Sequence, residues 1–140
     1  MSATTEQMRA WQGPAILGYG FRPLFLGAGI WAGLAMALWI AAVSGAVALP
    51  TRFAPIDWHA HELLYGYLPA VMAGFLFTAV PNWTGRLPLQ NAPLAGLVGL
   101  WLAGRVAVIL SETLGAPLAT ATDLAFPVVF LAVVAREIVT

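Results

Sequence analysis

The chain has 140 residues, of which 61% are hydrophobic and only 12 are charged, with no lysine and no cysteine. Soluble domains carry about 25% charged residues, so this composition excludes a water-facing enzyme domain. Zero net charge without a basic run argues against a nucleic-acid surface, and the lack of cysteine excludes disulfides and thiolate-held metals.

The first twelve residues are too polar for a signal peptide. A helix needs about 20 apolar residues to cross about 30 Å of hydrocarbon, and four segments qualify. The first, 23–45, opens at Arg22-Pro23, where a missing N–H costs nothing, and stops near Ser44-Gly45. The second, 63–80, lies between the polar stretch 57–62 and Pro81-Asn82, with Pro69 and Gly74 predicting a kink. The third, 93–110, carries Arg105, and the fourth, 114–134, carries Asp123 and Pro127. The expected class is all-α, a single polytopic bundle embedded in a lipid bilayer. Arg9, Arg22, Arg86 and Arg136 fall on one side and only Arg52 on the other, which places both termini in the cytoplasm. Trp11, Trp58 and Trp83 lie near span ends, where indoles favour the headgroup layer.

The only concentration of ionisable residues is Asp57-Trp58-His59-Ala60-His61-Glu62, which holds both histidines of the chain. Neutral imidazole ligates haem iron and copper. On a helix, positions two apart differ by about 200°, so His59 and His61 share one ion only if this stretch is unwound. If it is helical, His59 falls with Glu62, and His61 with Asp57 and Tyr65. Asp57 would then fix the tautomer of a metal-bound His61. The plainer reading is a polar cap in the headgroups, with Asp57 as N-cap. Met36 and Met72 read as packing residues.

Arg105 and Asp123 form a second constellation, at similar depth on adjacent antiparallel helices. A charge at the bilayer centre costs about 2.5–3.5 kcal/mol, which favours their pairing. The alternative makes Arg105 a receptor for a haem propionate or another anion. No serine has the His-and-acid neighbours of a hydrolase nucleophile.

Four stretches resemble the NnrS family: Gly20-Phe21-Arg22-Pro23-Leu24-Phe25, the run from Trp58 through Tyr67, the run from Gly74 through Gly85, and Leu100 through Arg105. That family comprises polytopic bacterial inner-membrane proteins that contain haem and copper and are associated with nitric oxide and denitrification. The resemblance implies that His59 and His61 are haem or metal ligands, and that Arg22 and Arg105 are motif residues. It also implies a longer architecture, of which this chain corresponds to the N-terminal third. Further ligands would come from a C-terminal segment or a second copy. The composition alone supports a second reading, a non-catalytic bundle whose polar groups only set helix register.

Overall fold

The computed structural model describes Glu6, Ala10 and residues 12–140. Among these residues the chain is helical and without strands. Four helices are long and apolar enough to cross a bilayer: α1 (Phe21–Val43), α2 (Pro55–Thr84), α3 (Asn91–Ile109) and α4 (Ala116–Val139). One short 3-10 turn, Ala15–Leu17, precedes α1, and a one-turn helix, Ser111–Leu114, joins α3 to α4.

The boundaries follow local chemistry. In α1, Pro23 occupies the first turn, and Ser44 closes the helix with its hydroxyl on the Ala41 carbonyl. Gly45 follows at φ +77°, the left-handed conformation that glycine adopts without cost. The second span begins at Pro55 rather than at residue 63, which corrects the sequence-based boundary. Polar residues 57–62 lower the local hydropathy, yet they are helical and turn Trp58 and Glu62 into the bundle. Asp57 is not the N-cap; Ala54 is, and Asp57 lies exposed in the first turn. A carboxylate there complements the positive end of the helix dipole.

Within α2, the kink expected from Pro69 takes the form of a widened turn over Glu62–Tyr67, with Leu68 N–H donating to the Leu63 carbonyl. Proline lacks an N–H and crowds the carbonyl four residues back. A one-residue widening just before it accommodates both problems, and such π-turns recur at functional sites.

The helices run antiparallel in sequence order. At one end Gln90 Nε2 donates to the Gly18 carbonyl and Arg86 pairs with Glu137. At the other, Ser111 Oγ accepts from the Arg52 N–H at 2.9 Å, and Glu112 N–H donates to the Pro50 carbonyl. Arg22, Arg86 and Arg136 therefore share one end and Arg52 lies at the opposite one. Arg9 and Trp11 fall outside the described residues.

The main core joins Leu24 and Ala28 of α1, Ala70, Ala73 and Phe77 of α2, Leu94, Leu97 and Trp101 of α3, and Phe126 and Phe130 of α4. Small residues set the helix spacing. A Cβ at Gly20 would lie 2.6 Å from Phe77 Cβ, and one at Gly74 would lie 2.8 Å from the Phe25 ring. The Phe77 Cβ is tied to its backbone and cannot swing away. Gly20→Ala is therefore expected to destabilise by about 1–3 kcal/mol, the usual cost of overpacking. A lower thermal midpoint in detergent than for Gly33→Ala, where a Cβ meets nothing within 4 Å, checks this.

Trp58 departs from expectation. It is fully buried rather than at the headgroups, packed edge-on against Trp31 at 6.4 Å and clustered with Ala35 and Val108. Trp83, 68% exposed at the end of α2, does reach the surface. Met36 and Met72 lie outside the buried core, each 44% exposed and so packed over only part of its surface.

Candidate functional site

Four ionisable side chains from three helices meet inside the bundle. Arg105 of α3 is 2% exposed, Glu62 of α2 is 1% and Asp123 of α4 is 5%. The fourth, His61 of α2, is only slightly more accessible. Arg105 Nη1 donates to Glu62 Oε2 at 2.6 Å, and Arg105 Nη2 donates to Asp123 Oδ1. The guanidinium fork thus bridges two carboxylates, a geometry that lysine's point charge does not reproduce. The ion pair expected between Arg105 and Asp123 is present, with Glu62 as an additional partner.

His61 closes the ring. Its Nδ1 lies 3.2 Å from Glu62 Oε1 and its Nε2 lies 3.0 Å from Asp123 Oδ2. Ionised carboxylates only accept, so satisfying both requires a ring that donates from both nitrogens. With that imidazolium and Arg105 against Glu62 and Asp123, the cluster sums to zero charge. Neutrality of this kind lets ionised groups persist inside a membrane protein. The imidazole is also stacked on Tyr65 at 4.9 Å and 14°, with Phe53 at 4.9 Å.

α1 joins through Trp31, whose Nε1 donates to Glu62 Oε2 at 2.9 Å. Trp101 Nε1 donates to the Gly66 carbonyl at 2.8 Å, just beneath the cluster. The helix contacts are close here as well: a Cβ at Gly104 would stand 3.2 Å from Asp123 Cα. A cavity of about 340 Å³ adjoins the cluster on the Arg52 side, where Arg52, Phe53, His61, Tyr65, Ser111 and Asp123 contribute to its wall.

His59 sits apart from His61, as the helical arithmetic requires. Its ring stacks on Trp39 of α1 at 4.4 Å and 21°. Its Nδ1 is buried with no hydrogen-bond partner, so this imidazole keeps an uncommitted nitrogen while His61 keeps none. His59 lines a groove between α1 and α2 with Met36, Glu62, Leu63 and Tyr67, of about 210 Å³.

The remaining sequence candidates are dispersed. Asp57 is exposed and makes no hydrogen bond to His61, so the expected Asp57–His61–Tyr65 face reduces to the His61–Tyr65 stack. The carboxylates at His61 come instead from Glu62 and Asp123. Arg22 lies at the opposite end of the bundle, where Nη1 donates to the Ala15 carbonyl at 2.6 Å and the guanidinium covers the Tyr19 ring at 5.0 Å. Arg105 has both Nη atoms on carboxylates, while its buried Nε has no hydrogen-bond partner among the described residues, so the ion pair is present and one donor remains for the anion-receptor alternative. Among the described residues, no group of three or more His, Cys, Asp or Glu side chains is arranged to hold a metal.

Sequence reasoning did not single out Trp31, Trp101, Gly66 or Gly104 as parts of this centre. The spacing that reveals them is helical. Glu62 and Gly66 are four apart, as are Trp101 and Arg105, so each pair shares a face. A tryptophan N–H buried in an apolar span also needs an acceptor.

Four membrane-length helices tied together by a buried, charge-balanced centre define a polytopic helical membrane protein. The chain belongs to the NnrS family, because the family model described as NnrS protein matches residues 15–140. No curated protein and no solved structure matches the chain.

Proposed function

We propose that this chain is a haem- and copper-binding protein of the bacterial inner membrane, with both termini cytoplasmic, serving the response to nitric oxide. Family membership supports this reading, since haem, copper and nitric oxide are what the resemblance to that family implies. The observation that carries the reading to particular atoms is the buried, unpartnered Nδ1 of His59. A buried polar atom without a partner is costly and calls for an explanation, and a missing ligand bond is one.

The donor set in the groove suits such a group. His59 brings imidazole and Met36 a thioether, a pair that fits haem iron or copper(I) better than magnesium or calcium. Bound there, haem iron or copper would supply the nitric-oxide-binding chemistry, with His59 holding it and Met36 as a second candidate donor. Trp39 fixes the plane of the His59 ring by stacking on it. Further ligands come from outside the His/Asp/Glu set of the described residues, through self-association or a further polypeptide segment. His61 can join a metal only by giving up a carboxylate, so its role in this proposal is to position Glu62 and Asp123 and to couple them to the neighbouring cavity.

The test is an optical spectrum and a copper assay on the chain, purified in detergent after expression with haem and copper supplied. His59→Ala is expected to lower metal and haem content at least about tenfold, since losing even an outer partner of a ligand costs that much in affinity, while leaving elution and helicity intact. Full retention of both cofactors in His59→Ala refutes the assignment.

The charged cluster itself favours a second, compatible role. Its hydrogen bonds reach all four helices, so it fixes the bundle that presents His59.

A further inference from the structure

A second hollow lies at the opposite end of the bundle from the histidines. Its volume is about 290 Å³, and it is lined by α2, the 87–90 connection, Pro93 of α3 and the last turns of α4. Phe77, Val80, Leu89 and Val133 make its walls apolar, whereas Arg136 and Glu137 stand at its rim. Glu137 is shared: Oε1 accepts from Arg136 Nη2 at 2.7 Å and Nε at 3.2 Å, and Oε2 faces Arg86 Nη1 at 3.5 Å. Two guanidinium groups therefore share one carboxylate, leaving a net positive charge beside an apolar hollow. Arg136 is 68% exposed and Arg86 38%, so both retain donors facing outward.

We propose that this end of the bundle holds one acidic phospholipid, with a segment of acyl chain in the hollow and its phosphodiester on Arg86 and Arg136. The complementarity is twofold. An apolar cavity open to a bilayer is filled by hydrocarbon, which any lipid supplies. The rim selects among lipids: guanidinium groups match phosphate oxygens, and the unbalanced charge favours a headgroup that is net negative over a zwitterionic one. Trp83, exposed just beyond the cavity-lining Pro81, sets this rim at the headgroup level. This site is independent of His59 and of any metal.

The experiment uses the full chain in neutral detergent micelles, with phosphatidylglycerol or phosphatidylcholine of identical acyl chains. Native mass spectrometry reads the fraction retaining lipid. Phosphatidylglycerol is expected to be retained with about tenfold higher affinity, a typical gain for one or two basic side chains at an anionic surface. Arg86→Gln with Arg136→Gln is expected to erase that preference to within about twofold while leaving apolar retention. If the double variant does not fold, Arg136→Gln alone serves, and it must reduce the preference. Glycerophosphoglycerol, the headgroup without chains, is expected not to bind. Equal retention of the two lipids, full binding of the bare headgroup, or an unchanged preference in the variant overturns the proposal.

Discussion

Arg105→Leu is expected to destabilise the bundle by about 3–5 kcal/mol, the range measured when one partner of a buried ion pair is removed. The guanidinium holds Glu62 on one side and Asp123 on the other. Without it two carboxylates remain in an apolar interior with His61 as their single cation, and the cluster carries one surplus negative charge. That charge count predicts its own repair. Arg105→Leu combined with Asp123→Asn restores neutrality, since Glu62 and His61 then balance. The asparagine carbonyl can still accept from His61 Nε2. The double variant is therefore expected to recover about half of the lost stability, read as the thermal midpoint of tryptophan fluorescence in detergent. Arg105→Lys should fall between, because one ammonium does not span two divergent carboxylates as the fork does. Additive losses in the double variant would sink the charge-balance account and leave Arg105 as a packing residue only.

The division between what was legible in the residues and what was not follows from the physics of each feature. The four spans were legible because an apolar run of membrane length with at most one charge admits few alternatives to a helix, and because Pro23 and Gly45 bound the first of them; Pro81, expected to end the second, lies inside α2, which runs on to Thr84. The divergence of His59 from His61 was legible too, since it needs only the helical angle. The start of α2 was not. Hydropathy treats residues 57–62 as solvated, whereas Glu62 is buried against Arg105 and Trp31. A polar residue satisfied by another helix looks the same in sequence as one satisfied by water. Trp58 fails for the same reason in reverse: an indole near a span end suits the interface, yet here Trp31 and Val108 provide an apolar site for it. The pairing of Arg105 with Asp123 could be read from equal depth. The third partner, Glu62, could not, because the helix bearing it was taken to start one residue later.

Gly66→Ala is the second large effect expected, and it tests whether the cluster is held by geometry as well as by charge. A Cβ there would lie 2.5 Å from Arg105 Nη1, 2.9 Å from Glu62 Oε2 and 3.2 Å from Arg105 Cδ. An arginine end is ordinarily flexible enough to yield. This one is pinned at Nη1 and Nη2 by two buried carboxylates, so moving it means breaking a charged contact. The same residue's carbonyl accepts from Trp101 Nε1, which blocks the alternative of shifting α2 away from α3. Glycine in mid-helix is otherwise less favourable than alanine by about 1 kcal/mol. At Gly29 and Gly33, where a Cβ meets nothing within 4 Å, the alanine variants should accordingly be neutral or slightly stabilising. At Gly66 the sign reverses, with an expected loss of about 3 kcal/mol from overpacking and a broken buried contact. If the loss arises through Arg105, it must vanish where Arg105 is absent. In an Arg105→Leu background Gly66→Ala is expected to cost less than about 1 kcal/mol, the remainder appearing as a coupling energy between the two positions. Equal cost in both backgrounds would instead assign the strain to the Glu62 carboxylate or the backbone of the widened turn.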